Sequence, residues 1–235
     1  MHQLTSSNVR SKYQLIDLSV AFSVGMPKYN ASWFPEFQVD EVVPESMKGA
    51  DWKRRFTILS LFAHNGTHVE SSDHVFRDGR TMDAIPLDHF FGIPIVVDLR
   101  DIPNGQEITQ DVLESRIPRD NVGEGHIILL MTSYDDREWG KEGFWDRSPW
   151  LSEGAAAYLA SLKPVLIGLD FQTEKPGERN FIVHKALTRH GAVLCEYLFQ
   201  LDKLEYDTLF MALPIKINDV EASPVRAVGI KGVGR

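Results

Sequence analysis

Cysteine is almost absent: Cys195 is the only one in 235 residues. An internal disulfide is therefore impossible, and a reducing compartment suits the chain best. Positive charge is outnumbered, with 25 Lys and Arg against 33 Asp and Glu and a formal net charge of −8. Such a chain lacks the basic surface on which nonspecific nucleic-acid binding depends. No apolar run approaches the roughly 18–20 residues that span a bilayer. The opening Met1-His2-Gln3-Leu4-Thr5-Ser6-Ser7-Asn8 has neither the charged nor the apolar region of a signal peptide. Internal repeats and low-complexity linkers are missing as well. The expectation is a cytoplasmic protein whose partners are small molecules, with no role for nucleic acid or membrane.

What is present suits one globular domain over residues 1–235, with 43% hydrophobic residues to build a core. Runs rich in β-branched and aromatic residues alternate with short helical patterns, which predicts an α/β fold. Strands are expected at 14–18, 55–62, 94–99, 127–133, 165–170, 192–196 and 209–217, the second of them buried. Helices are expected at 153–162 behind the N-cap Ser152, at 109–116 opened by Thr109 and closed before Pro118, and at 184–190 ahead of Gly191. The longest irregular stretches, 25–53 and 134–149, carry Trp33, Trp52, Trp139 and Trp145, and long loops of this kind often serve as lids.

The chemistry concentrates in His64-Asn65-Gly66-Thr67-His68-Val69-Glu70-Ser71-Ser72-Asp73-His74. Three imidazoles and two carboxylates in eleven positions are the ligands that Zn²⁺ and Mn²⁺ accept. His64, His68, Glu70 and His74 all occupy even positions, so an extended backbone would turn them to one face. A helix is disfavoured by Gly66, Thr67 and Val69, and Asn65 stands where a helical zinc-protease signature needs glutamate. In a straight strand His64 and His68 would lie about 13 Å apart at Cα, at about 3.3 Å per residue. The chain must therefore curl between them, and Gly66 permits that.

A dense histidine cluster is also compatible with surface loops or hydrogen-bonded core groups, so a distant second source of ligands matters. His184 and Glu196 fit that role. Glu196 lies in the apolar run Ala192-Val193-Leu194-Cys195-Glu196-Tyr197-Leu198, where a carboxylate is costly unless it is paired or bound to a cation. Cys195, on the opposite face of the same strand, is assigned to the core, and His89 and His126 to structural roles.

These segments together resemble the cyclase-like metal-dependent hydrolases, whose signature is H-x-G-T-H-x-D-x-P-x-H. That family includes bacterial kynurenine formamidase, isatin hydrolase and related enzymes that open amides or lactones. The resemblance covers most of the chain, from Asp17-Leu18-Ser19 and Gly25-Met26-Pro27 through Gly168-Leu169-Asp170-Phe171 to Pro224-Val225-Arg226-Ala227. It implies a β/β/α swivelling fold with a central barrel-like sheet and flanking helices. It also implies that His64, His68 and Glu70 hold a first metal and that Glu70, His184 and Glu196 hold a second. His74 would donate and accept the proton, and Tyr29 would contact an aromatic substrate. Homodimers or homotetramers are common in the family, and the 25–53 loop is the candidate contact.

Glu70 stands where the family has aspartate, and Ser72 where it has proline, which predicts a less rigid loop under His74. One or two ions per subunit, Zn or Mn, therefore remain open. The implied activity is hydrolysis of a C–N or C–O bond in a small aromatic or conjugated substrate by metal-activated water. The alternatives are a lyase or cyclase acting on a polyketide-like carbonyl compound, and a non-catalytic metal-binding module. If His74 binds metal, Asp73 or Glu196 would have to act as base.

Overall fold

Ile127-Ile128-Leu129-Leu130-Met131 is apolar at every position, the pattern of a strand covered on both faces. All five residues are buried, and they contribute to both hydrophobic cores. A computed structural model describes residues 12–49, 51, 52, 55–117, 122 and 124–232. In chain order the strands are β1 (Gln14–Asp17), β2 (Gln38–Val42), β3 (Phe56–Ser60), β4 (His68–Glu70), β5 (Phe91–Gly92), β6 (Ile95–Asp98) and β7 (Glu107–Ile108). They continue with β8 (Ile127–Met131), β9 (Trp150–Leu151), β10 (Leu166–Leu169), β11 (Val193–Glu196), β12 (Leu209–Met211), β13 (Ala222–Pro224) and β14 (Val228–Lys231). The helices are α1 (Gln110–Arg116), α2 (Tyr134–Glu138), α3 (Glu153–Ser161) and α4 (Ile182–Thr188).

Six strands form a mixed sheet in the order β13-β4-β11-β10-β8-β6. The strands from β11 to β6 run parallel, and β4 and β13 are added antiparallel at one end. Side chains alternate between two cores, as the period of a strand requires. Ile128, Leu130, Ile167, Leu169 and Leu194 face the helices and pack with Leu113, Leu159, Val183 and Leu187. Ile127, Leu129, Leu166, Val193 and Cys195 face the other way and pack with Ile16 and Phe210. These last two belong to an antiparallel sheet ordered β1-β14-β12-β5. The layers are thus sheet, sheet and helix, the expected β/β/α arrangement. No described helix is long and apolar enough to cross a membrane.

The end of β1 and the segment ahead of β14 are tied together. Arg226 donates two hydrogen bonds to Asp17, at 2.7 and 2.6 Å, and the Ala227 amide donates to Ser19 Oγ at 2.7 Å. Gly168 is required by packing: a Cβ there would stand 2.4 Å from a methyl of Leu129 and 2.6 Å from one of Leu198.

Several expectations need correction. The 55–62 run forms β3, but the strand is exposed throughout: it pairs only with β2, outside both cores. The 25–53 stretch is not wholly irregular, since it contains β2, and 134–149 contains α2. The 209–217 run ends as a strand at Met211, and Pro214, which has no amide proton to give a ladder, follows shortly. The last helix occupies Ile182–Thr188, starting two residues before His184. Pro118 and the opening residues 1–11 lie outside the described residues.

Candidate metal centre

The eleven-residue cluster is not one extended segment. Only His68–Glu70 is a strand, and the cluster's convergence comes from the turns on either side of it. Gly66 has φ +57, a conformation that glycine adopts without a Cβ clash, and it turns the chain between His64 and His68. Within β4, His68 and Glu70 point to the helix side while Val69 enters the opposite core. β11 supplies the second carboxylate through register: Glu196 lies across from His68, and Cys195 across from Val69. After β4 the chain forms a 3₁₀ turn, Ser72–His74, that brings His74 back over the strand. α4 delivers His184.

Glu70 is the hub. His64 Nδ1 lies 2.6 Å and His68 Nε2 2.9 Å from its Oε1, and His184 Nε2 lies 3.3 Å from its Oε2. Glu196 approaches His68 Nε2 at 3.8 Å and His184 Nε2 at 3.6 Å, and it accepts a hydrogen bond from the Thr173 hydroxyl. The His74 ring centre is 4.5 Å from that of His64 and 5.7 Å from that of His184.

Each hub histidine uses its other ring nitrogen on an outer acceptor. For His68 this is the Gly66 carbonyl at 2.8 Å, for His184 it is Glu174 at 2.9 Å, and for His64 it is Glu221 at 3.0 Å. Carbonyls and ionised carboxylates only accept, so the outer nitrogens carry the protons. Glu70 also only accepts, so the inner nitrogens of cationic rings donate to it; were the rings neutral, their lone pairs would fall on His64 Nδ1, His68 Nε2 and His184 Nε2, on the Glu70 side.

Charge at the site follows from these contacts. Burial lowers the His64 pKa, but hydrogen bonds to Glu221 and Glu70 outweigh it and raise it to about 10. His184 is likewise raised to about 10, against burial, by Glu174 and Glu70. Burial would raise Glu70, yet His184, His64 and His68 hold it well below the usual carboxylate range. Glu196 is pushed up by burial and by the neighbouring Glu70 charge. His74 is pushed down by burial, which favours the neutral ring. Burial also pushes the Cys195 thiol up, as a core residue requires.

These residues fit a divalent cation. Glu70 is buried, yet among the described residues its Oε2 accepts no hydrogen bond. Four carboxylates, Glu70, Glu196, Glu174 and Glu221, surround the imidazoles, an excess of negative charge that protons on the inner nitrogens or a divalent ion can balance. Ligand atoms of His64, His68 and Glu70 lie within 4.8 Å of one another, and so do those of Glu70, His74 and His184. A third such group joins His64, His74 and Glu221. His74 thus stands within ligating range of the hub.

All six metal and proton-transfer candidates converge. Tyr29 does not join them directly: its ring rests on Trp145 at 5.6 Å, Trp145 on Tyr197 at 5.8 Å, and Tyr197 on His68 at 5.7 Å. Trp139 also packs on Tyr197, so the 134–149 tryptophans brace the site from the side. Glu174, Glu221 and Phe181 were missed. Glu174 and Glu221 lie in connecting segments with no local pattern separating them from other acidic residues. Phe181 flanks His74 and His184 at 5.5 and 5.3 Å with φ +53, a value that a backbone carrying a large side chain rarely adopts.

The expectation of a loose turn under His74 is also corrected. The Ser72 hydroxyl accepts the Arg80 amide at 2.9 Å, and Gly79 packs directly on the 72–73 peptide.

Known proteins share this arrangement of the chain. The sequence model of a family described as "Putative cyclase" matches residues 16–174. Kynurenine formamidase of Bacillus mycoides is 27% identical over 172 residues, covering 72% of this chain and 77% of that one. Cyclase-like protein 3 of Oryza sativa subsp. japonica is 24% identical over 228 residues, covering 93% and 80%. A crystal structure of an isatin hydrolase bound to the product analogue thioisatinate superposes with a TM-score of 0.79 over 94% of both chains, at 21% identity. At that identity the likeness is one of fold.

Proposed function

The chain belongs to the putative cyclase family, and on that footing we propose that it is a metal-dependent hydrolase of small aromatic or conjugated amides or lactones. The observation that carries this is the hub: a buried carboxylate met by three inner imidazole nitrogens, with a second buried carboxylate beside it. Relatives named kynurenine formamidase support an aryl formamide as substrate class.

His64, His68 and Glu70 would hold one ion, and Glu70, His184 and Glu196 a second, with Zn²⁺ or Mn²⁺ as the candidates. When bound, such an ion acidifies a water and polarises a carbonyl oxygen. His74, kept neutral by burial, would take the proton of the attacking water and return it to the leaving nitrogen or oxygen. Phe62, 5.3 Å from His64, and Phe181, beside His74, would give the substrate apolar walls. Tyr29 would act at the rim, through Trp145. A cytoplasmic homodimer or homotetramer goes with this reading. The β2–β3 pair is its candidate contact, since every residue of both strands is exposed, Val39, Ile58 and Leu59 among them.

The test is turnover of N-formylkynurenine, isatin and a strained aryl lactone by protein stripped with chelator and reloaded with Zn²⁺ or Mn²⁺. Metal-restored opening of any of the three supports the hydrolase. A reloaded protein that binds metal and opens none of them would leave the non-catalytic binding module as the better account.

A further inference from the structure

The two outer carboxylates have chemistry of their own. Glu174 lies on the segment after β10, and its Oε1 accepts both His184 Nδ1 and the His184 backbone amide, each at 2.9 Å. Glu221 lies just ahead of β13, and its Oε1 meets His64 Nε2 at 3.0 Å. Its own carbonyl is fixed by the amide and hydroxyl of Ser71, at 2.8 and 2.9 Å, so it is anchored to the segment that follows β4. His68 has only the Gly66 carbonyl in the same position.

We infer that Glu174 and Glu221 are positioning residues, which fix the tautomer and ring plane of His184 and His64 so that their inner nitrogens face the Glu70 hub. This rests on the metal-site reading above. The physical basis is general: a carboxylate on the outer N–H of an imidazole sets which nitrogen is free and makes that nitrogen the better electron-pair donor. The two are unequal. The Glu174 side chain is 14% exposed and that of Glu221 34%, so Glu174 acts through a medium of lower dielectric. Glu174 also holds the first turn of α4, where Phe181 at the N-cap offers no side-chain bond.

The experiment is a Co²⁺ titration of the chelator-stripped full chain, followed by affinity, ions bound per chain and the visible absorption of the cobalt. Glu174→Gln and Glu221→Gln are compared with the parent and with Glu114→Gln, a distant exposed control. Each site variant is expected to bind ten- to a hundredfold more weakly, with altered cobalt absorption and unchanged stoichiometry, the larger loss falling on Glu174→Gln. The control should match the parent. Affinity and absorption equal to the parent in both variants overturn the inference. Loss of one whole ion in Glu221→Gln overturns it for that residue, which would then be a direct ligand. A parent that binds no Co²⁺ overturns the metal-site reading, a failure distinguishable from the others. If Glu174→Gln does not fold because α4 loses the charge of its first-turn acceptor, Glu221→Gln, which caps no helix, decides alone.

Discussion

Gly79 lies against the Ser72–Asp73 peptide so closely that a Cβ on it would stand 2.3 Å from the Asp73 amide nitrogen. The neighbouring Arg80 amide donates to Ser72 Oγ, so the turn carrying His74 is clamped where a proline would otherwise stiffen it. Gly79→Ala must displace backbone, which no rotamer change can relieve. Overpacking of this kind costs about 1–3 kcal/mol. Turnover should fall more than metal content, because His64, His68 and Glu70 lie outside the displaced turn. Turnover and metal content measured on one preparation check this, and parallel losses would sink it.

Glu70 spans three imidazoles with two oxygens, and the weakest contact is the 3.3 Å approach to His184. Shortening the side chain by one methylene withdraws the carboxylate by about 1.5 Å, one carbon–carbon bond. Glu70→Asp should therefore draw both oxygens back from all three rings, breaking the longest contact, the bridge to His184, first and lowering bound metal by one ion in a two-ion protein. Elemental analysis of both proteins decides. An ion gained with the aspartate, together with activity, would mean that the longer side chain had closed the second position.

Asp135 is buried, among the described residues neither of its oxygens has a hydrogen-bond partner, and burial, aided by the Asp170 charge, pushes its pKa well above the usual carboxylate value. Folding therefore takes up a proton at pH values between the unfolded and the raised folded pKa. The sign follows: this contribution to stability is complete below the unfolded pKa of about 3.9 and is lost as pH rises towards the folded value, at about 1.4 kcal/mol per pH unit. Asp170, pushed up to about 7 by burial against three hydrogen bonds from Thr132 and Ser133, has the same sign and adds little further slope above neutrality. Asp135→Asn should stabilise the protein over the parent, more at about pH 8 than at about pH 5. Thermal unfolding at both values is the check, and an equal shift at both would contradict it.

Phe181 combines φ +53 with 40% exposure and edge contacts to His74 and His184. A left-handed backbone on a residue with a Cβ costs roughly 1–2 kcal/mol, and glycine removes that cost. Phe181→Gly should hold or raise the melting temperature while weakening binding of flat aromatic substrates, by on the order of tenfold in KM. Comparing KM for an aryl and an alkyl formamide would settle whether the ring is a wall of the site, since only the aryl value should move.

Legibility in the sequence was uneven, for physical reasons. Unbroken apolar runs marked β8 and β10, because a strand covered on both faces must be apolar at each position, and a run interrupted by Glu196 marked β11. The caps Thr109 and Ser152 marked two helix starts, and both side chains accept the expected amide. β3 has the same apolar character and was read as buried, yet it lies exposed against β2, because composition cannot say which surface a strand meets. Parity grouped His64, His68, Glu70 and His74 correctly but for an incomplete reason: only His68 and Glu70 share a strand, and turns carry the other two.

The sequence by itself determined the ligand types, their density around residue 68 and the glycine that lets the chain bend between two histidines, since these are local properties of side chain and backbone. It also pointed to His184 and Glu196, because a carboxylate in an apolar run needs a partner. Only the tertiary structure decided which nitrogen of each imidazole faces Glu70. For His184 and His64 that choice falls to Glu174 and Glu221, which lie 10 and 157 positions from the rings they hold, and for His68 to the nearby Gly66 carbonyl. A hydrogen bond depends on separation in space, and loops brought together by two packed sheets leave no periodic trace along the chain.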